Sequence, residues 1–205
     1  MSDFNAIADT SRAFLKILKR NMVPDIIKNE REIVLCSPQD RGDAALTVYL
    51  YDMAQNKELS NSAEMVTEGP DKKRYPPEFM TLYYMITAFS SSDVSFRAEE
   101  EQKILGRVVQ LLKDMCMING ETYQPEMKKS EASISIIPMD MSTEEKMKIW
   151  NIPDMSYKAS MFYKIDPVAI ESNKSEMFTR VKSFKFEVEE KPLDFSDDEG
   201  DDDES

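Results

Sequence analysis

One stretch of this chain carries bulky side chains on both sides of an extended backbone, and the other segments have to be placed around it. In Ala45–Met53, Thr47, Tyr49 and Tyr51 alternate with Leu46, Val48 and Leu50. A strand with bulk on both faces is stable only between covering layers, so this segment reads as a central strand covered on both sides. Phe79–Phe89 is dense in aromatic and aliphatic residues. Its length and aromatic content suit a second buried strand, although a helix also fits by periodicity alone. With 205 residues there is room for one core built without disulfides or metal, since a domain near this size buries roughly 70% of the surface its unfolded chain exposes.

The flanking segments supply helices and further strands. Phe4, Ile7, Ala8, Ser11, Phe14, Leu15 and Leu18 recur at helical spacing, with Lys16, Lys19 and Arg20 on the far face and Pro24 as the stop. Arg31–Ser37 reads as a short strand. Gln55–Pro77 is polar and ends in Pro76-Pro77, so it reads as a long connection with an edge strand near Glu64–Glu68. A helix over Ala98–Met117 is expected, with Ser95 as cap, Glu99–Glu101 in its first turn and Gly120 closing it. Ile104, Leu105, Val108, Leu111, Leu112 and Met115 form its apolar stripe. Ser133–Pro138 reads as a strand, and Ser142 with Glu145 fits a capping box opening a short helix to Trp150. Lys158–Ile170 and Phe178–Val188 read as strands joined in a hairpin around Glu171–Glu176.

Composition removes whole classes of chemistry. There is no histidine, which excludes Ser-His-Asp and Cys-His catalysis and most zinc sites. The glycines, Gly42, Gly69, Gly106, Gly120 and Gly200, are too scattered for a phosphate-cradling loop. Cys36 and Cys116 lie among apolar neighbours and read as buried reduced thiols. No apolar run approaches the roughly 20 residues that span a bilayer, and Met1–Asn5 lacks the start of a signal peptide, so synthesis and folding in the cytoplasm are expected. A net charge of −13 argues against nucleic acid and against anionic membrane surfaces as partners.

That charge is unevenly spread. Residues 194–205 hold eight acids and no base, leaving −5 for residues 1–193. Such a block repels itself and cannot bury a core, so a disordered acidic tail is expected over 191–205. Asp197, Asp198, Asp201, Asp202 and Asp203 only superficially resemble a calcium loop, because the flanking helices are absent. They are candidate partner contacts instead. Lys72, Lys73 and Arg74 are their candidate complement, pairing with the tail of another copy across an interface. Asp52, Asp140 and Asp166 read as turn, cap or strand-end residues rather than a catalytic acid pair, and no spacing favours Ser-Lys catalysis. Of the 15 methionines, Met80, Met85, Met115, Met117, Met147 and Met161 fall in apolar segments, but Met139, Met141 and Met155 lie in connections where they suit an adaptable contact surface.

These segments also match a known pattern. Tyr49-Leu50-Tyr51-Asp52 resembles an "LYLYD" strand. Pro76-Pro77 precedes Leu82–Phe89, which contains Tyr84, Thr87 and the pattern L-x-Y-x-I-T-A. An acidic run then leads into Leu105-Gly106-Arg107-Val108-Val109-Gln110-Leu111-Leu112, and Glu145–Trp150 supplies E-x-x-K-x-W before Tyr157–Ser160. In this order and spacing, from the first helix to about Ile170, the chain resembles the cap, or tube-terminator, proteins of extracellular contractile injection systems. These systems are phage-tail-like particles with a rigid tube inside a contractile sheath.

The resemblance implies a structural protein, not an enzyme, with no cofactor. It implies a hexameric ring on the tube end farthest from the baseplate, which stops tube growth and anchors the last sheath ring. The implied partners are further copies of itself, the tube protein and the sheath protein. The particle would be assembled in the bacterial cytoplasm and then released or held at a membrane, although no residue indicates membrane contact. The acidic tail is not part of the pattern; charge there suits a device that refuses the next subunit. Gly106 and Arg107 are the motif residues whose alternatives are intrachain packing and contact across a subunit boundary. Trp150, Pro76, Pro77 and Tyr84 read as fold determinants. The rival reading is an assembly chaperone or adaptor for tube or sheath subunits, absent from the mature particle. The expected fold class is α+β over residues 1–190: a mainly antiparallel or mixed sheet with packed helices.

Overall fold

A computed structural model of the chain describes residues 4–118, 134–151, 153 and 155–177. Its centre is the pair expected from the sequence. Strands β2 (Leu46–Gln55) and β5 (Glu78–Ala88) lie side by side, antiparallel, with β8 (Ser160–Ile170) on the other flank of β5. The parallel strand β1 (Ile33–Leu35) closes one edge, and β7 (Ile134–Pro138) and β6 (Met117–Ile118) extend the other. The order β1-β2-β5-β8-β7-β6 makes a mixed sheet, so the α+β class holds.

One face of this sheet is fully covered. Helix α1 (Ala6–Met22) places Phe14, Ile17, Leu18 and Met22 against Leu46, Val48, Leu82, Tyr84 and Ile86. Burying each such side chain stabilises by about 1.5–3 kcal/mol. Helix α3 (Val94–Asp114) adds Ile104, Val108, Leu111 and Leu112 to the same core. The seat of α1 is also polar. The Tyr84 hydroxyl lies 2.7 Å from Ser11 Oγ in the core, and Ser11 Oγ donates to the Ile7 carbonyl at 3.0 Å. The Tyr84 ring meets Phe14 edge-on at 5.3 Å. Burial pushes the Tyr84 phenol up to about 12, against a smaller opposing effect of the Ser11 hydrogen bond.

Several boundaries differ from the sequence reading, each for a local reason. Phe4 is 80% exposed, because the helix begins at Ala6 and leaves it outside the core. Helix α3 begins at Val94, not after Ser95, because the Asp93 carbonyl accepts the Phe96 and Arg97 amides. Glu100 and Glu101 therefore do not cap it. They turn back to the preceding loop, where Glu101 accepts the Ser90 amide at 3.1 Å and Glu100 accepts the Ser92 hydroxyl at 2.6 Å. The helix ends at Asp114, since Met117–Ile118 pairs with β7, and Gly120 lies outside the described residues.

The long connection is more structured than expected. It contains α2 (Lys57–Ser62), then β3 (Val66–Thr67) and β4 (Lys72–Arg74). Strand β9 (Ser175–Met177) pairs with β4, giving a separate antiparallel sheet β3-β4-β9. Residues read as a hairpin turn after β8 are thus partly a strand of that second sheet, while Phe178–Val188 and the acidic tail lie outside the described residues. The cysteines are not buried thiols: Cys36 is half-buried and Cys116 exposed, because each sits where its strand or helix gives way to a connection.

Three outcomes follow from the packing. Ser11→Ala leaves the Tyr84 O–H without a partner in the core and should cost about 1–3 kcal/mol, whereas Tyr84→Phe loses only a net hydrogen bond of about 0.5–1.5 kcal/mol. Urea unfolding should therefore rank Ser11→Ala as the more damaging; the reverse order would remove this pair as the seat of α1. Because the folded chain holds the Tyr84 proton more tightly than the unfolded one, this contribution is complete below pH 10 and is lost as pH rises towards 12. Unfolding titrations should show stability falling in that window, and Tyr84→Phe should reduce the slope by up to ~1.4 kcal/mol per pH unit. Finally, Gly106 lies exposed inside α3, and a Cβ there would meet nothing within 4 Å. Gly106→Ala should therefore stabilise the isolated chain by about 0.5–1 kcal/mol in the same urea assay.

Candidate functional site

The second face of the sheet is only half covered. Alternation along the strands turns Tyr49, Tyr83, Met85, Thr87 and Phe162 away from α1 and α3. Over part of this face lies α4 (Thr143–Ile149), a helix fixed by its capping box: Ser142 Oγ accepts the Glu145 amide at 3.3 Å, and the Glu145 carboxylate accepts the Ser142 amide at 2.8 Å. The Ser142 hydroxyl, donating to the Glu145 carboxylate at 2.7 Å, and then the Ser142 amide hold that carboxyl below its ordinary range. Trp150, at the end of α4, packs with Met85 and Phe162 as a second small core. Its indole N–H donates to the Ser156 carbonyl at 2.9 Å, and Tyr157 meets it edge-on at 5.9 Å.

Beside that core is a groove of about 470 Å³ lined by Tyr49, Tyr51, Asp52, Tyr83, Met139, Met141 and Ile149. Its geometry depends on a β-bulge. Leu50 pairs with Tyr84 and Asp52 with Tyr83, which leaves Tyr51 as the extra residue. A bulge sends neighbouring side chains to one side of a strand. Tyr51 and Asp52 therefore both reach the groove. Tyr51 packs against Phe162 at 5.8 Å and Tyr83 at 6.2 Å, and its hydroxyl donates to the Met139 sulfur at 3.7 Å. Burial pushes its phenol up to about 12, with Asp52 and Tyr83 adding to the shift. Phenol rings, thioethers and a single carboxylate offer contact and hydrogen bonding, not a nucleophile beside a base.

On the helical side of the molecule a second surface stands open. Val94 is 82% and Phe96 64% exposed at the start of α3, beside Ile26 in the connection after α1. Phe96 and Ile26 border a shallow groove of about 340 Å³ with Asp25, Glu99, Glu100 and Lys103. Further along α3, Arg107 turns inward: it donates to Gln110 at 2.8 Å and to the Asn21 carbonyl at 3.3 Å.

The residues singled out in the sequence therefore separate. Tyr49, Tyr51 and Asp52 converge on the groove with Met139 and Met141, while Met155 is half-buried outside its lining. Leu50, Tyr84 and Leu105 pack into the main core, Trp150 into the second, and Thr87 is buried with its hydroxyl 2.8 Å from that of Ser160. Pro76 and Pro77 are half-buried between β4 and β5. Lys72, Lys73 and Arg74 form β4, where Lys72 and Arg74 pair with Glu68 at 2.9 and 3.2 Å and Arg74 also with Glu171. Asp166 is engaged by Asn56 at 3.1 Å and Thr81 at 2.7 Å. Asp197, Asp198, Asp201, Asp202 and Asp203 lie outside the described residues. Sequence reading missed Tyr83 and Ile149 as groove residues, and Val94 and Phe96 as exposed; the only signal for the latter was two apolar residues just ahead of an acidic run.

Comparisons with known proteins agree with this architecture. The family model described as the Pvc16 N-terminal domain matches residues 9–183. The fold is similar to the sheath/tube terminator, in its extended state, of the extracellular contractile injection system PVC, with a TM-score of 0.65, 20% identity, and coverage of 90% of this chain and 64% of that one. It is also similar to the tube-terminating cap of the anti-feeding prophage, with a TM-score of 0.59, 20% identity, and coverage of 91% and 63%. The chain thus spans a little under two thirds of the length of these solved relatives. No curated protein sequence matches it. The resemblance carried by the strand and helix motifs is borne out, and the chain belongs to the Pvc16 N-terminal domain family.

Proposed function

We propose that this chain is the cap and terminator of a contractile injection particle. Copies of its domain, residues 1–190, form a hexameric ring on the baseplate-distal end of the inner tube, end tube growth and anchor the last sheath ring. The observation that carries this reading is the family match over residues 9–183, in a chain folded like a sheath/tube terminator. The physics of the surface supports it. A groove of tyrosine and methionine on one side of the sheet, and exposed Val94 and Phe96 on the helical side, give a single chain two separate contact surfaces. In a ring each contact is repeated by symmetry, so interfaces too small to hold a pair can hold an assembly. The role is structural rather than catalytic. Assembly takes place in the bacterial cytoplasm, and the acidic block after Asp194 disfavours addition of a further tube layer by like charge.

Electron microscopy of injection particles from cells with and without the gene tests the proposal. Loss of the protein should give uncapped tubes of uncontrolled length, or sheaths that do not stay extended. Intact particles should show additional density opposite the baseplate. Particles identical in length, cap and sheath state, with the chain absent from purified preparations, would instead favour an assembly chaperone.

A further inference from the structure

We infer that neighbouring copies of this chain join by seating the apolar ridge at the start of α3 of one copy in the tyrosine–methionine groove of the next. The inference rests on the ring reading and names the contact that builds it. Chemistry, placement and charge each support it.

The ridge is apolar and open: Val94 is 82%, Phe96 64% and Ile26 39% exposed. The groove supplies what interface cores favour, aromatic rings together with thioethers that adapt to an incoming side chain. Ridge and groove lie on different sides of the sheet, because α3 packs on the Tyr84 face while Tyr83 and Tyr49 turn away from it. A contact between two different surfaces of identical subunits is head-to-tail, and such contacts close into a ring when the rotation between neighbours divides a full turn. Charge separates this contact from a two-fold one. The ridge is flanked by Asp25, Glu99 and Glu100, with Lys103 paired to Glu99 at 2.6 Å and the Arg97 guanidinium donating to the Ser92 carbonyl at 3.3 Å. The groove is flanked by Lys164, the register partner of Tyr83, and by Lys146, one turn before Ile149, with Asp52 in its wall. Ridge on groove sets these acids against Lys146 and Lys164. Ridge on ridge would set the acids against themselves.

Paired cysteines test the contact directly. In a background of Cys36→Ser and Cys116→Ser, the double variant Phe96→Cys/Met141→Cys should give a reducible ladder of covalent oligomers under mild oxidation, both for the purified chain and on isolated particles. Each single variant should give none, and the two singles mixed should give dimers only, as a head-to-tail contact requires. Phe96→Asp, at an exposed position, should leave the unfolding midpoint unchanged and weaken self-association in sedimentation by about tenfold or more. A double variant with no ladder above the singles, in solution and on particles alike, overturns the inference. So does a covalent dimer from Phe96→Cys alone, which would place two ridges face to face. Absence of the wild-type chain from particles overturns the terminator proposal instead, and the ladder of the purified chain still decides the contact.

Discussion

The central strands carry bulk on both faces, and the rest of the molecule is arranged to remove that bulk from water. At about 25 cal/mol for each Å² of apolar surface buried, neither face can be left open without a large loss of stability. Helices α1 and α3 meet the demand on one side over the length of the core. On the other side only a short helix and one tryptophan do so. The groove beside them is where covering stops, which leaves a surface of rings and thioethers to offer others.

Polar groups inside the apolar layers fix how those layers sit. An apolar stripe alone lets a helix slide along a sheet, because hydrophobic burial has no direction. The Ser11–Tyr84 hydrogen bond has one, and it allows a single position of α1 over β5. The Thr87–Ser160 bond does the same between β5 and β8 on the opposite face. Among the described residues no buried side-chain nitrogen or oxygen lacks a partner, so these interior polar groups specify the fold without leaving an unmade bond.

Much of this was legible in the sequence, because the signals were strong and local. Two-sided bulk announced β2, length and aromatic content pointed to β5, Pro24 announced the end of α1, and the Ser142–Glu145 pair announced α4. What escaped depends on geometry that composition does not encode. A bulge is a choice of register between two strands, so nothing in Tyr49–Asp52 reveals that Tyr51 and Asp52 share a face. The start of α3 lies a turn earlier because the Asp93 carbonyl accepts its first amides, and the acids suited to a helix dipole meet amide and hydroxyl donors in the loop instead. The second sheet joins segments about a hundred residues apart through strands of two or three residues, too short for alternation to show. Of the seven groove residues, Tyr49, Tyr51 and Asp52 were named as motif residues and Met139 and Met141 as methionines in connections; Tyr83 and Ile149 became visible only when the fold brought them together.

The position of the single tryptophan has an optical consequence. Trp150 belongs wholly to the layer under the groove, while the larger core beneath α1 and α3 contains no indole. Its fluorescence therefore speaks for the outer layer alone, and circular dichroism speaks mainly for the helices on the other side. The two signals coincide during unfolding only if both layers melt as one cooperative unit. Any separation between them measures how independently the groove can loosen while the main core stays intact.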